Sequence, residues 1–264
     1  MTVRVAEVFV SNLDELTVPV ELSRQLRRAD DFIRLAVVAG HNVLQQAAAT
    51  EGNKERIGLF LGSAFGPMQT NFDVLDQVVS DQPVSPILFS HSVFNGAAGY
   101  LASVFGIKGC ALTMTDFNVP FIRSLEQGIQ AIEGGSLDCC LVLQIETYSR
   151  LLHDARKTHC PEDAEWQPGV VCWLLKAAAS ADDGIVLKRV SSQQQLKDDD
   201  EIDAANRLRV VERLNLVEEV LEIRDPLGAA ITLSSLMRGD GSAANGKVIS
   251  LESEHTTVEL EFCS

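Results

Sequence analysis

The stretch Thr113–Ile129, TMTDFNVPFIRSLEQGI, decides how the rest of the chain is interpreted. It predicts the end of a buried strand, a polar corner from Asp116 to Pro120, and the start of a helix. Many α/β enzymes hold a nucleophile at such a corner, because the first helical turn offers unpaired N–H groups and a positive dipole end. This corner contains no Cys, Ser or Lys. The sequence therefore predicts the site of a nucleophile without the nucleophile.

Outward from this corner, apolar strands alternate with helices. Strands are predicted within 56–67, 110–116, 138–147, 170–178, 246–254 and 256–262, and helices within 21–50, 69–80, 92–106, 119–135 and 225–237. The residues from Ser149 to Gly169 are expected to be irregular, and those from Ala181 to Asn206 to form a polar surface excursion. Strand–helix alternation with continuously apolar strands predicts an α/β fold in which helices cover both faces of a sheet.

Two of these helices carry apolar residues at helical spacing. The helix within 21–50 is expected to pack on one face, which carries Ile33, Val37 and Leu44. The helix within 69–80 is expected to pack through Phe72, Leu75 and Val79.

The charge of the chain excludes several classes of partner. With 37 acidic and 22 basic residues, the formal net charge is −15. This charge argues against nucleic acid or an anionic membrane as the main partner, and against strong direct attraction for an acidic carrier protein. The sequence shows neither an apolar leader nor the roughly eighteen uninterrupted apolar residues that a spanning helix needs. We therefore expect a cytoplasmic globular protein.

The cysteines and histidines do not suggest a metal site. The six cysteines lack C-x-x-C spacing, and Cys139 and Cys140 lie in an apolar run, so they are expected to be reduced and mostly buried. A metal site could be drawn on His153, His159 and Cys160. Their spacing fits no zinc signature, so a solvated loop is the better interpretation, and we expect no metal or cofactor.

Five short motifs follow one another between Ile57 and Glu146. They are a Gly-rich turn at Gly62–Gly66, then Asn95-Gly96-Ala97-Ala98-Gly99, Gly106-Ile107-Lys108-Gly109, the corner, and Gly135-Ser136-Leu137-Asp138. In this order and spacing they resemble the N-terminal half of β-ketoacyl synthases of the thiolase fold. The resemblance implies a layered α-β-α-β-α architecture. It has a complete N-terminal half, residues 1–180, and a truncated C-terminal half, residues 181–264, that packs on it.

Under this resemblance, Asn118 occupies the place of the acyl-accepting cysteine, and an amide cannot form the thioester. The family also supplies catalytic histidines from its second half, and none of the five histidines here lies in a matching Gly-rich loop. The chain thus lacks both the cysteine and the catalytic histidines, and in this it is similar to short chain-length-factor-like relatives. These relatives occur beside an active ketosynthase in bacterial type II systems that make aryl polyenes and related polyenes. The stretches LGSAFGPMQTNFDVLD and FSHSVFN look particularly like that group.

The resemblance also implies how such a chain serves fatty-acyl or polyketide elongation. In the family, two protomers join edge to edge through the strand before the corner, and the acyl tunnel of one protomer reaches that interface. The interface strand here would be Ala111, Leu112, Thr113, Met114 and Thr115. By position, Phe65 matches the gate at the tunnel base, Leu88 a residue that reaches across the interface, and Met68 a weaker lining candidate. The partner would be an active ketosynthase, through which the chain meets acyl carrier protein indirectly.

Each of these residues also has a plainer interpretation. Asn118 and Pro120 fit the N-cap and first turn of a helix, and Asp116 could cap the same corner. Phe65, Met68 and Leu88 could be ordinary core residues.

Three functions stay open on the sequence. The one we favour is a non-catalytic chain-length-factor subunit. The second is an independent acyltransferase or hydrolase with another nucleophile, such as Ser63, Ser92 or Cys110. The third is a scaffolding protein that binds a partner without touching acyl chains.

Overall fold

The computed structural model of this chain describes residues 2–47, 52–159, 166–178, 186–194, 206–212, 218–223, 225–237, 247–252 and 256–263. Within these ranges the strands are β1 (Thr2–Asn12), β2 (Ile57–Ser63), β3 (Ala111–Thr115), β4 (Cys139–Glu146), β5 (Gly169–Ala178), β6 (Val186–Gln194), β7 (Asn206–Glu212), β8 (Glu218–Ile223), β9 (Lys247–Glu252) and β10 (Thr256–Cys263). The α-helices are α1 (Asp31–Gln46), α2 (Met68–Val79), α3 (Pro86–His91), α4 (Gly96–Phe105), α5 (Pro120–Glu133), α6 (Arg150–His159) and α7 (Gly228–Met237).

All ten of these strands form one sheet, in the order β3-β2-β4-β5-β1-β6-β10-β9-β7-β8. From either edge inward, each half of the sheet uses the same order of its own strands: third, second, fourth, fifth, first. α5 follows the third strand of the first half, and α7 follows the third strand of the second. The halves meet where β1 pairs with β6 at Val3↔Leu187 and Arg4↔Val186. The strand order therefore repeats within the chain, although no repeat stands out in the sequence.

The second half of the sheet is built with shorter connections. In the first half, β2 and β3 are parallel, and the segment between them holds α2, α3 and α4. In the second half, β7 and β8 are joined by residues 213–217 and are antiparallel. So short a connection can join only antiparallel strands, because a parallel return needs a crossover of a dozen or more residues.

Helices cover both faces of the sheet, as predicted. α1 and α4 pack on one face of β2, β4 and β5, and α5 and α7 pack on the other. In that second layer the buried ring of Trp173 in β5 lies 4.9 Å from the ring of Phe121 in α5. Its Nε1 donates a hydrogen bond to Oγ of Ser234 in α7 at 2.7 Å, so the buried indole is satisfied. One side chain thus contacts the central helices of both halves.

The prediction that α1 packs on one face is wrong. Phe32, Leu35 and Val38 are buried as well as the predicted stripe. Leu22 and Leu26, from the segment before α1, belong to the same buried hydrophobic cluster as α1. The helix begins where Asp30 Oδ1 accepts the backbone N–H of Ile33 at 2.9 Å, which is a side-chain N-cap.

The predicted face of α2 is also wrong, although the helix itself is confirmed. α2 buries Thr70 and Val74, whereas Leu75 is 52% and Val79 is 84% exposed. The reason is that α2 packs mainly against α3 rather than against the sheet.

Two segments predicted to lack regular structure are ordered. Residues 150–159 form α6, in the stretch expected to be irregular. Residues 186–194 form β6, in the stretch expected to be a surface excursion, because β10 and β1 pair with it on its two sides. Among the helices that the structure describes, none combines the length and the apolar character needed to cross a bilayer.

Candidate functional site

The corner between β3 and α5 is organised by the carboxylate of Asp116. Its Oδ1 accepts hydrogen bonds from the backbone N–H groups of Asn118 and Val119, both at 2.8 Å, and its Oδ2 accepts one from Arg123 Nε at 3.3 Å. α5 begins at Pro120, as the corner predicted, and Val119 at the N-cap position makes no side-chain cap. The interpretation of Asn118 as the N-cap is therefore wrong, because the charged carboxylate takes the N–H groups before the helix.

This arrangement removes the chemical advantage of a helix start. An anion at such a corner would use free N–H groups and the positive end of the helix dipole. Here a fixed carboxylate already occupies two of the N–H groups, and Asn118 presents an amide in place of a thiol. The corner can neither form a thioester through Asn118 nor offer these two donors to an oxyanion.

A glycine brings this corner close to the end of β2. A Cβ atom on Gly62 would collide with the backbone carbonyl of Pro120 and with Ser124 Oγ. Glycine therefore allows α5 to begin directly against β2. The corner and the turn that follows β2 lie side by side as a result.

The turn after β2, residues 63–66, places Phe65 among three other aromatic rings. The ring centroid of Phe65 lies 5.8 Å from that of Phe117, 6.0 Å from that of Tyr148 and 5.8 Å from that of Trp166. The rings of Tyr148 and Trp166 are 5.3 Å apart. We call these four residues the aromatic cluster. Since Phe117 belongs to the corner, the predicted gate residue Phe65 lies beside the position of Asn118.

Two charged residues connect the aromatic cluster to α6 and to the second half of the chain. The guanidinium of Arg156 in α6 lies 3.6 Å above the ring centroid of Trp166, a cation–π contact. Tyr148 Oη donates to Asp225 Oδ1 at 3.0 Å, just before α7. Burial, and then the nearby Asp225 carboxylate, raises the pKa of Tyr148 well above its usual value, so the phenol stays protonated and remains a donor. Burial also raises the pKa of Asp225.

A buried carboxyl group, Glu146 at the end of β4, lies against the backbone of the turn 63–66. Its Oε1 accepts the N–H of Ala64 at 2.7 Å, and its Oε2 accepts the N–H of Phe65 at 3.3 Å and the hydroxyl of Ser63 at 3.1 Å. Ser63 Oγ accepts the N–H of Gly66 at 2.7 Å, which closes the turn. Burial raises the pKa of Glu146 to about 7, although these hydrogen bonds favour the ionised form.

The five residues of the predicted interface strand form β3, at one edge of the sheet. Within the described part of the chain, β3 pairs with β2 and has no strand on its other side. Ala111, Leu112 and Thr115 are exposed, and Thr113 and Met114 are half-buried. Thr113 Oγ1 is enclosed, yet it has no hydrogen-bond partner among the described residues.

The two other predicted tunnel residues, Met68 and Leu88, are both half-buried. Met68 lies close to the turn 63–66 along the chain, and Leu88 lies further away. Met68 opens α2 two residues after the turn, and its Sδ accepts a hydrogen bond from Ser149 Oγ at 3.2 Å. Leu88 lies on α3, where its backbone N–H donates to Ser85 Oγ at 3.3 Å. α3 packs against α2 and α4.

The three alternative nucleophiles lie in different surroundings. Ser63 is fully buried against Glu146. Ser92 is buried, and its hydroxyl donates to the carbonyl of Phe89 at 2.8 Å. Cys110 is exposed and immediately precedes β3. Of the three, Cys110 alone is open to a bulky acyl donor.

The two histidines of the metal site considered from the sequence lie on a helix. His153 and His159 belong to α6, so the solvated loop expected there is wrong for these residues, and Cys160 lies outside the described residues. Within the described ranges, no three His, Cys, Asp or Glu side chains come together in a way that could hold a metal ion. The buried free cysteines are Cys139, Cys140 and Cys172, as expected, and burial raises the pKa of each thiol.

Sequence reasoning missed Glu146, Tyr148, Trp166 and Asp225. A glutamate at the end of a continuously apolar strand is a signal that was available, because such a carboxyl must be hydrogen-bonded to be buried. A tryptophan in a polar stretch, as at Trp166, was another. Tyr148 and Asp225 carry no local signal, since their contact depends on how the two halves pack.

Comparisons with known proteins agree with this architecture. Residues 7–158, more than half of the chain, match the family model of the β-ketoacyl synthase N-terminal domain. A chain in the complex of the ketosynthase ApeO with its chain length factor ApeC from Xenorhabdus doucetiae is 15% identical with a TM-score of 0.65, over 99% of both chains. The ishigamide ketosynthase/chain length factor is 14% identical with a TM-score of 0.70, over 100% of both chains. The fold is the thiolase-like fold of ketosynthases.

One relative is similar over a shorter stretch. The polyketide biosynthesis malonyl-ACP decarboxylase PksF of Bacillus subtilis (strain 168) is 25% identical over 135 residues. These residues are 50% of this chain and 32% of PksF, so the chain spans about a third of the length of the curated relative that it matches.

Proposed function

This chain belongs to the β-ketoacyl synthase family, and on that premise we propose that it is a non-catalytic chain-length-factor subunit. It pairs with an active ketosynthase in a cytoplasmic type II system, lines the acyl tunnel and stabilises its partner while a chain of polyene or fatty-acyl type is elongated. The choice of partner is supported by the similarity to structures of a ketosynthase together with a chain length factor.

The corner at Asn118 is the observation that carries this proposal. The fold around the corner is complete, from β3 through α5 to β4. The chemistry of a nucleophile is absent from it, because Asp116 occupies two N–H groups and Asn118 has no acyl-accepting atom. A fold retained around a corner that cannot be acylated is explained if the fold serves the reaction of a partner.

The partner is proposed to bind along β3. An edge strand with unpaired backbone groups is a template for another strand, and exposed apolar patches mark interaction sites. Large apolar side chains on β3, on the corner and on the segment from α3 to α4 are 39% to 72% exposed: Ile87, Phe89, Phe94, Leu112 and Phe117. Acidic carrier protein would dock on the partner, because this chain carries a net charge of −15.

Phe65 is proposed to limit the length of the growing chain. It follows β2, one strand inward from the proposed interface, and lies against Phe117 of the corner. Overlap of a rigid ring with one more methylene in a packed cavity costs on the order of 1–3 kcal/mol, which slows that addition roughly 5- to 150-fold. Met68 and Leu88 are further lining candidates by position.

Reconstitution tests the proposal. The candidate partner ketosynthase, acyl carrier protein and malonyl donor are combined with this chain, and product lengths are read by mass spectrometry. We expect elongation to require the chain, to proceed with Asn118 unchanged, and to give longer products with Phe65→Ala. Phe105→Ala is the matched control, since Phe105 is a half-buried ring that packs against His41 instead. Unchanged lengths with Phe65→Ala and Leu88→Ala would favour the scaffolding function.

Assays of the isolated chain test two catalytic alternatives. An independent acyltransferase or hydrolase would turn over an acyl thioester alone and lose that activity in Ser63→Ala, Ser92→Ala or Cys110→Ala. The similarity to PksF suggests a malonyl-ACP decarboxylase, which would release CO₂ from malonyl carrier protein. Under our proposal the isolated chain does neither.

A further inference from the structure

Glu146 joins three parts of the fold. Its carboxyl accepts hydrogen bonds from the turn 63–66 and, at Oε1, from Gln144 Nε2 at 3.1 Å. Gln144 Nε2 also donates to the carbonyl of Pro226, just before α7, at 2.8 Å. Glu146 is fully buried and forms no ion pair with the residues that the structure describes. A buried carboxyl without a cation depends on its hydrogen bonds.

Most of those hydrogen bonds come from the turn that carries Phe65. The backbone N–H groups of Ala64 and Phe65 donate to Glu146, and so does the hydroxyl of Ser63. Gly66 is tied to the same group through Ser63, and its φ of +59° suits glycine. Every residue of the turn is therefore linked to Glu146 directly or through one hydroxyl.

We propose that Glu146 is the positioning residue for Phe65, and that the protonation state of its carboxyl sets where the Phe65 ring stands and so which chain length the complex releases. The part concerning chain length rests on the proposed function. An ionised Glu146 accepts all three donors of the turn. When Oε2 is protonated, it donates to Ser63 Oγ instead, and its bond to the N–H of Phe65, the longest at 3.3 Å, weakens first.

Both forms are present at neutral pH, because burial raises the pKa of Glu146 to about 7. The other titratable groups near Glu146 are Tyr148, two residues further along its own segment, and Asp225, which precedes α7. Arg156 of α6 lies beyond them, on Trp166. Tyr148 stays protonated in this range. Burial raises the pKa of Asp225 too, but Asp225 bonds to Tyr148 and to the N–H of Leu227, whereas the turn 63–66 bonds to Glu146.

Amide titration of the full-length chain tests the positioning role. Backbone ¹H–¹⁵N shifts are followed from pH 5.5 to 8.5. We expect the amides of Ala64 and Phe65 to titrate together with a midpoint of about pH 7, and not to titrate in Glu146→Gln, which imitates the protonated form. Glu55→Gln is the matched control, because Glu55 is exposed and precedes β2, at the opposite end of that strand from the turn. Amides that are static in the wild type, or that still titrate in Glu146→Gln, would overturn the inference.

A second variant covers the case in which Glu146→Gln does not fold. Ser63→Ala removes one donor to the carboxylate, so the midpoint should move to higher pH. An unchanged midpoint would contradict the network.

Product lengths from the reconstituted complex test the link to elongation. We expect the wild-type distribution to change between pH 6.5 and 8.0, and the Glu146→Gln complex to give the low-pH distribution at both. The deciding comparison is wild type against Glu146→Gln at the same pH, which cancels the response of the ketosynthase itself. If the amides titrate but wild type and variant give equal lengths at pH 8.0, the link between Glu146 and chain length fails, and Phe65→Ala decides separately whether Phe65 has a tunnel role. If the amides do not titrate but Phe65→Ala still changes the lengths, the inference about Glu146 fails and the proposed function stands.

Discussion

At the scale of single residues, we predict that Asp116 opposes acylation of the corner as much as Asn118 does. We expect Asn118→Cys alone to leave the corner unacylated, because the Asp116 carboxylate holds the local N–H groups and disfavours a thiolate beside it. Asn118→Cys with Asp116→Asn should lower the thiol pKa relative to the single variant. The measurement is the pH dependence of iodoacetamide labelling, read by fragment ions that assign the label to residue 118 or to Cys110, since both lie in the tryptic peptide 109–123.

The exposed Cys110 gives an internal reference in the same digest. Its labelling should be equal in both variants. If the single variant is labelled as fast as the double variant at pH 7, Asp116 does not disfavour the thiolate and the corner is inactive through residue 118 alone.

Residues of the candidate site could be predicted when the signal was local. Asn118 and Phe65 were singled out by their positions in the motifs of the family resemblance, and their roles stay predictions. Tyr148, Trp166 and Asp225 were not, since they come together only after α6 and the start of α7 pack on the turn 63–66. The cap was misassigned because Asn and Asp have similar preferences at a helix start, and the charged group formed the stronger hydrogen bonds.

Between elements, the contact of α5 with β2 depends on Gly62. We expect Gly62→Ala to destabilise the chain by roughly 2–3 kcal/mol, because its Cβ would overlap the backbone of Pro120, which cannot move without shifting α5. Gly99→Ala is the matched control. Gly99 lies inside α4 with no atom near its Cβ position, so alanine should add about 1 kcal/mol of stability. Urea unfolding followed by circular dichroism measures both, and equal effects of the two variants would contradict the close contact.

The edge strand β3 makes a separate prediction about assembly. Leu112→Asp should leave the isolated chain folded, because Leu112 is already 41% exposed. It should weaken binding to the ketosynthase at least about tenfold, since a charge would be buried without a partner between two edge strands. Val20→Asp is the control, at a position that is 88% exposed and lies outside β3, the corner and the segment from α3 to α4. Binding by calorimetry that is equal in the two variants would place the interface elsewhere.

A helix or strand could be predicted when its own residues carry the apolar pattern that its burial requires. β2, β4 and β5 are buried along nearly their whole length, so their continuous apolar runs identified them. The sequence of β6 is that of a polar segment, so it was not predicted as a strand. It is a strand because it pairs with β10 and β1. The face of α2 was misjudged because its apolar residues at helical spacing, Leu75 and Val79, are exposed, as expected if they meet a partner rather than the core.

Across the whole molecule, the repeated strand order explains how a shorter second half still completes the core. β6 to β10 keep the strand order of the first half, and their buried residues Ile249 and Leu260 share one hydrophobic cluster with α5 and α7. The replacement of a crossover by a hairpin shortens the chain without removing that contact. The second half thus supplies α7 and the strands that pack with α5, and these support the corner and the aromatic cluster.

The whole chain should be more stable at pH 6 than at pH 8. Glu146 has a pKa of 4.5 when unfolded and about 7 when folded, so its contribution is complete below pH 4.5 and is lost as the pH rises to about 7. The whole loss amounts to roughly 3 kcal/mol from a shift of this size, and roughly 1 kcal/mol of it falls between pH 6 and pH 8. Asp225, whose pKa is also raised, acts in the same direction. Repulsion within a surface of net charge −15 does so too.

Salt separates the buried contribution from the surface one. About 1 M NaCl shortens the screening length to about 3 Å and suppresses surface repulsion, whereas a fully buried carboxyl is little affected. Chemical unfolding at pH 6 and pH 8 should therefore keep most of its pH dependence in high salt for the wild type and lose it in Glu146→Gln. If high salt removes the pH dependence of the wild type, repulsion between surface acids is its source and Glu146 stays in one protonation state. The turn that carries Phe65 would then be fixed rather than sensitive to pH.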